Sequence, residues 1–107
     1  MVIFETTMFT RQITALLDDD VYADFQADLA DRPDMGACIP GSGGIRKVRI
    51  AAKGHGKRGG ARLIYYWAVS DSQIFMLLAY AKNEQENLTR DQVRVLKALV
   101  EEEFGDG

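Results

Sequence analysis

Seven cationic side chains, Arg46, Lys47, Arg49, Lys53, Lys57, Arg58 and Arg62, fall between Met35 and Ser70 with no Asp or Glu among them. A run of one sign at that density suits a polyanion, meaning nucleic acid or phosphate, or else an acidic protein surface. Solvated edges ordinarily interleave both signs, and this one does not. The overall charge of -3 conceals the run, because all 16 acidic residues lie elsewhere in the chain. Phosphate chemistry is the first candidate.

Other reactive types are sparse. His55 is the only histidine. Its ordinary pKa suits a general base, but flanking glycines suit an exposed loop tip better. Cys38 stands alone beside Pro40, with no histidine near it in sequence. It can form neither an internal disulfide nor a cysteine-based metal site, which fits a reducing compartment. Gly54 to Gly59 matches GxGxxG in form, yet the β-prone Arg62-Leu63-Ile64-Tyr65-Tyr66-Trp67 follows where a phosphate-binding helix would have to start. A P-loop fails too, since Arg58 replaces the Ser or Thr after Gly56-Lys57. The glycines still let backbone amides, Lys53, Lys57 and Arg58 approach a phosphate closely. Metal-dependent nuclease chemistry wants several converging acids, and only Glu84 and Glu86 lie near the basic segment. No metal or other cofactor is expected.

The elements that must position these groups can be read from periodicity. Val2-Ile3-Phe4 reads as a strand, Thr7 to Leu17 as a helix, and Asp18 to Asp20 as the start of a second helix carrying Tyr22, Phe25 and Leu29. Arg32-Pro33 ends that helix. Its exposed acids, Asp20, Asp24 and Asp28, read as a solvated face. Three strands follow, Ile45 to Ala52, Ala61 to Trp67 and Gln73 to Ala81, with links short enough for antiparallel neighbours. Thr89 and Gln92 form a capping-box pattern for a last helix, with Leu88 and Val93 as its staple and Val93, Leu96 and Val100 as its stripe. Glu101 to Glu103 sit unfavourably at its negative end and predict fraying. The expected fold is α+β, ordered β-α-α-β-β-β-α, a small antiparallel sheet with two N-terminal helices and a C-terminal helix. Period-two alternation puts Lys47, Arg49 and Lys53 on one face, Arg62, Ile64 and Tyr66 together on the next strand, and Tyr80 with Lys82 on the last. Aligned registers would gather them on one side of the sheet. Trp67 and the other strand aromatics read as core.

A chain of 107 residues and 11.9 kDa holds one core, so residues 1–107 read as a single domain. The longest apolar stretch, Leu63 to Val69, falls far short of the roughly 20 residues that cross a bilayer. Met1 to Glu5 shows no basic region ahead of a hydrophobic run, so no secretory leader and a cytoplasmic location are expected.

Three segments in order carry a resemblance: Gly41 to Arg49, Lys53 to Tyr66, and Tyr80-Ala81-Lys82-Asn83-Glu84. They resemble the RelE/HigB-type toxins of bacterial type II toxin–antitoxin systems, in particular the HigB-like branch. The likeness covers most of the chain and implies the fold described above. It implies a ribosome-dependent endoribonuclease that cleaves mRNA in the ribosomal A site and so inhibits translation. A ribose 2′-hydroxyl would attack the adjacent phosphate without metal. That reaction needs a base, cations for the phosphorane charge and an acid for the leaving oxygen. By resemblance Arg62 stabilises the phosphate, Lys53 falls where relatives place a catalytic lysine, and Lys82 follows the last strand in a position that is basic in relatives. Arg46, Lys47, Arg49, Lys57 and Arg58 would hold RNA. A lysine could act as base once nearby cations and partial burial lower its pKa. Some relatives carry an arginine where Asn83 stands, and a tyrosine near the start of the last helix, where this chain has Leu88-Thr89. Tyr80 is the tyrosine that could replace it, and the general base and acid stay unassigned. The implied partners are the translated message and a cognate antitoxin, a HigA-like helix-turn-helix protein through which operator DNA would be reached.

Two other classes share the basic segment. A non-catalytic nucleic-acid-binding module, or a toxin homologue without activity, would bind RNA and leave it whole. A protein-interaction domain would dock an acidic partner and ignore RNA.

Overall fold

The computed structural model describes residues 1–51 and 60–105. The chain order is β1 (Val2–Glu5), α1 (Thr7–Leu16), α2 (Asp19–Asp31), β2 (Ala37–Cys38), β3 (Ile45–Ile50), β4 (Ala61–Ala68), β5 (Gln73–Ala81) and α3 (Arg90–Phe104). The expected α+β order is present. A two-residue strand, β2, lies within the long connection after α2, and a 3-10 turn at Val69–Asp71 joins β4 to β5.

The sheet runs β1-β5-β4-β3-β2. It is mixed rather than wholly antiparallel, because β1 pairs parallel with β5 from Val2↔Gln73 to Glu5↔Met76. An antiparallel partner is obligatory only where a tight turn joins two strands, and two helices and three strands separate β1 from β5 in the chain. The β4–β5 register shifts between Ile64↔Leu78 and Tyr65↔Met76, which leaves Leu77 as the extra residue of a bulge. Helix α1 is fitted to that bulge. Thr6 Oγ1 caps the helix by accepting from Phe9 N–H (3.0 Å) and donates to Leu77 O (2.9 Å). Gln12 Oε1 takes the Ala79 N–H at 2.9 Å.

Each face of the sheet has its own core. Phe9 and Ile13 of α1, with Phe25 and Leu29 of α2, pack on Val48, Leu63, Tyr65 and Met76. Trp67 packs at the margin of this cluster. Leu96 and Val100 of α3 pack on Ile45, Ile64, Phe75 and Leu78 of the other face. The capping box is formed: Gln92 N–H donates to Thr89 Oγ1 and Thr89 N–H to Gln92 Oε1. The last turn of α3 does not fray. It continues through the exposed Glu101–Glu103 to Phe104, whose ring lies 5.5 Å from Tyr66 and 6.0 Å from Phe4 and Phe75. Aromatic packing there outweighs the unfavourable dipole contact of the glutamates.

The turn into β3 is held from inside. Ser42, 2% exposed, donates through Oγ to Ile39 O (2.6 Å) and accepts from Ile45 N–H (3.0 Å). Gly43 and Gly44 beside it have φ of +76° and +105°, a region open to glycine.

Candidate active site

Strand pairing decides which charges meet. Arg49 stands opposite Arg62, and Arg62 opposite Tyr80, so the three form one row across β3, β4 and β5. Lys47 lies in the next row on the same face, opposite Ile64 and thence Leu78. Two arginines directly opposed repel each other, and nothing in the row offsets them.

Arg62 is the unusual member. It is 1% exposed, and its Nε and Nη1 have no hydrogen-bond partner among the described residues. Guanidinium groups are almost never buried without an anion, because desolvation costs several kcal/mol, on the order of the penalty for burying any unpaired ion. Tyr80 has the same character: it is 4% exposed and its hydroxyl is unpartnered among the described residues. Burial pushes the Tyr80 phenol above its ordinary value, Arg62 pulls the other way, and Glu86 adds to the rise. The phenol is therefore a neutral donor at physiological pH. A buried cation and a neutral hydroxyl, both short of acceptors, are shaped for an anion.

The segment after β5 closes this end of the sheet. Lys82 is half-buried and opens the turn, where its N–H donates to Gly60 O at 3.0 Å. Period-two alternation ends at Ala81, so it no longer governs the Lys82 side chain. Glu84 Oε1 accepts the Ala81 N–H (3.2 Å), Gln85 bonds Gln92, and Asn87 Oδ1 accepts from Lys47 Nζ at 2.9 Å. A Cβ on Gly60 would stand 2.2 Å from Ile50 O, so only glycine admits this crossing beside Arg62.

Sequence periodicity brought Lys47, Arg49, Arg62 and Tyr80 to one face, and their register puts three of them in contact range. Arg46 goes to the other face. Its Nη1 donates to Gly36 O (2.7 Å) and Asp34 O (3.2 Å), while Tyr65 Oη there donates to Pro33 O (2.6 Å) and accepts from Gly36 N–H (3.0 Å). Arg46 thus secures the chain leaving α2, on the face opposite Arg49 and Arg62. Adjacent residues of a strand cannot share a face. Lys53, His55, Lys57, Arg58 and the rest of the glycine loop from 52 to 59 lie outside the described residues. Local sequence pattern does not mark Glu86, Asn87 or Gly60 for the roles found here. The pairing that brings them in joins positions far apart in the chain, and only the glycine spacing beside Arg62 hinted at one of them.

Among the described residues no group of three or more His, Cys, Asp or Glu is placed to hold a metal ion, and no helix is long and apolar enough to cross a membrane. A family model described as the RelE toxin of the RelE/RelB toxin–antitoxin system matches residues 1–105.

Proposed function

The chain belongs to the RelE toxin family, whose members are partners of an antitoxin and generally cleave mRNA, and on that premise we propose that it is a metal-independent, ribosome-dependent endoribonuclease acting in the cytoplasm. The observation that carries this reading is the buried Arg62, whose Nε and Nη1 have no partner among the described residues, in one row with Arg49 and Tyr80. In the reaction a base removes the 2′-hydroxyl proton and the ribose oxygen bonds to phosphorus. The bond to the 5′-oxygen then breaks, and that oxygen takes up a proton. The products are a 2′,3′-cyclic phosphate and a 5′-hydroxyl. Arg62 meets the extra negative charge on the phosphorane oxygens, where a preorganised cation in a dry site is worth most. Arg49 holds the neighbouring phosphate. Tyr80, kept protonated by burial, donates a hydrogen bond to the phosphate or the leaving oxygen. Lys53 and Lys82 are the candidate bases, and the ribosomal A site supplies the message.

Induced expression tests the reading. Growth should arrest, with message ends mapping within codons and resisting chelator, while Arg62→Gln expressed at equal level should leave messages intact. Undiminished cleavage by that variant refutes the assignment. Asn83, exposed where some relatives carry arginine, favours one alternative, a module that binds RNA without cutting it. RNA binding with no cleavage on translating ribosomes would decide for that alternative.

A further inference from the structure

Helix α3 has three distinct flanks. Leu96 and Val100 face the sheet. Val95 and Leu99 line an apolar groove against Met8 and Leu77. Arg90, Arg94 and Lys97 form the third flank, spaced four and three residues apart, and line a groove of about 490 Å³ with Ile39 and Leu88. A second hollow of about 370 Å³, lined by Lys47 and Asn87, shares Ile39, Pro40 and Leu88 with the first. The shared wall sets the two hollows side by side, and the surface path along both is here called the channel. It starts at Lys47, on the same face as Arg49 and one row from Arg62, and ends at Lys97.

We propose that this channel binds the single-stranded RNA flanking the segment held at Arg62, with Arg90, Arg94 and Lys97 on successive phosphates. The inference rests on the reading of the Arg62 row as an RNA site and extends it to a second, remote anchor. No carboxylate lines either hollow. Arg94 pairs with Asp91, but both are exposed and such a pair yields readily to a phosphate. Gly41, at φ +72°, sits in the wall, and a Cβ there would meet nothing, so bare backbone borders the path. The channel begins at Lys47, on the face that carries Arg49 and one row from Arg62, where a strand leaving Arg49 would pass. A protein helix would seek an apolar wall. The more apolar wall is on the opposite flank of α3, where the groove beside Met8 and Leu77 has no cation and carries Asp91. Nucleic acid is the occupant that this flank fits.

The test uses the full chain and fluorescein-labelled 2′-O-methyl oligonucleotides of three and ten nucleotides, which cannot be cut by 2′-hydroxyl attack. Anisotropy is read over a range of KCl concentrations. Wild type should bind the longer probe about tenfold or more tighter, since added phosphate contacts multiply affinity. In the Arg90→Gln/Arg94→Gln/Lys97→Gln variant that gain should fall below about threefold, and the slope of log affinity against log salt should shrink by about 2, near 0.7 for each of three lost contacts. Arg90→Lys/Arg94→Lys, which keeps the charge, should retain both. An unchanged length gain in the Gln variant overturns the proposal. So does loss of binding to a glutamate-rich helical peptide with the longer oligonucleotide unaffected, which assigns the flank to a protein. The two readings fail separately: length-dependent binding without message cleavage refutes the nuclease, and cleavage with length-independent affinity refutes the channel.

Discussion

Replacing Arg62 with Met should make the protein more stable and inactive at once. The guanidinium is 1% exposed, opposes Arg49 across the strand pair, and leaves two nitrogens without partners among the described residues. One buried unsatisfied polar group costs about 1–3 kcal/mol, and an ion more. Methionine fills a similar length of buried space without charge, and its own repacking should take back part of the gain. The net expectation is a gain of about 1–3 kcal/mol, which for a domain of this size corresponds to a Tm rise of roughly 5–20 °C. Urea unfolding should show the midpoint moving up with the slope unchanged, so that the gain belongs to the native state. Message cleavage should fall by on the order of 10²- to 10³-fold, the loss seen when an electrostatic stabiliser of a transition state is removed. Sulfate should raise the wild-type midpoint by binding the native state, and should do less for the variant. Destabilisation by more than about 1 kcal/mol, with the circular dichroism spectrum retained, would refute the argument, because the cation would then be a satisfied structural group.

Three further outcomes follow from the same geometry. Tyr80→Phe removes a buried hydroxyl that has no partner among the described residues, so stability should rise by about 1 kcal/mol, while cleavage should drop about tenfold or more. Burial raises the phenols of Tyr22, Tyr65 and Tyr80 above 10.0, with the Glu5 contact adding to the rise at Tyr22. A folded state that holds these protons more tightly has its full stabilisation below pH 10 and loses it as pH rises beyond. The urea midpoint should therefore fall from pH 9 to pH 11, and less steeply in Tyr22→Phe; equal slopes would contradict the burial argument. Gly60→Ala would press a Cβ against Ile50 O, so we expect a loss of about 2 kcal/mol or more, measured by urea unfolding, together with impaired cleavage from the displaced Lys82 backbone.

Much of this protein follows from its sequence alone. The order of helices and strands, the capping box at Thr89, the stop at Arg32-Pro33 and the seven cations without a counter-charge all depend on residues a few positions apart. Local propensity and side-chain period act over that range. Resemblance over three segments pointed to the family that the match over residues 1–105 establishes. Tertiary structure decided the rest. Only the β3–β4–β5 register sets Arg49, Arg62 and Tyr80 in one row, and only the pairing at the sheet edge lays β1 parallel to β5. The rings of Tyr66 and Phe75, far away in the chain, receive Phe104 from the last turn of α3. Those outcomes rest on hydrogen bonds and contacts between residues distant in the chain, and a slip of one position would send every side chain of a strand to the wrong side. The burial of Arg62 is of the same kind: its charge is written in the sequence, and its loss of water is a property of the folded sheet.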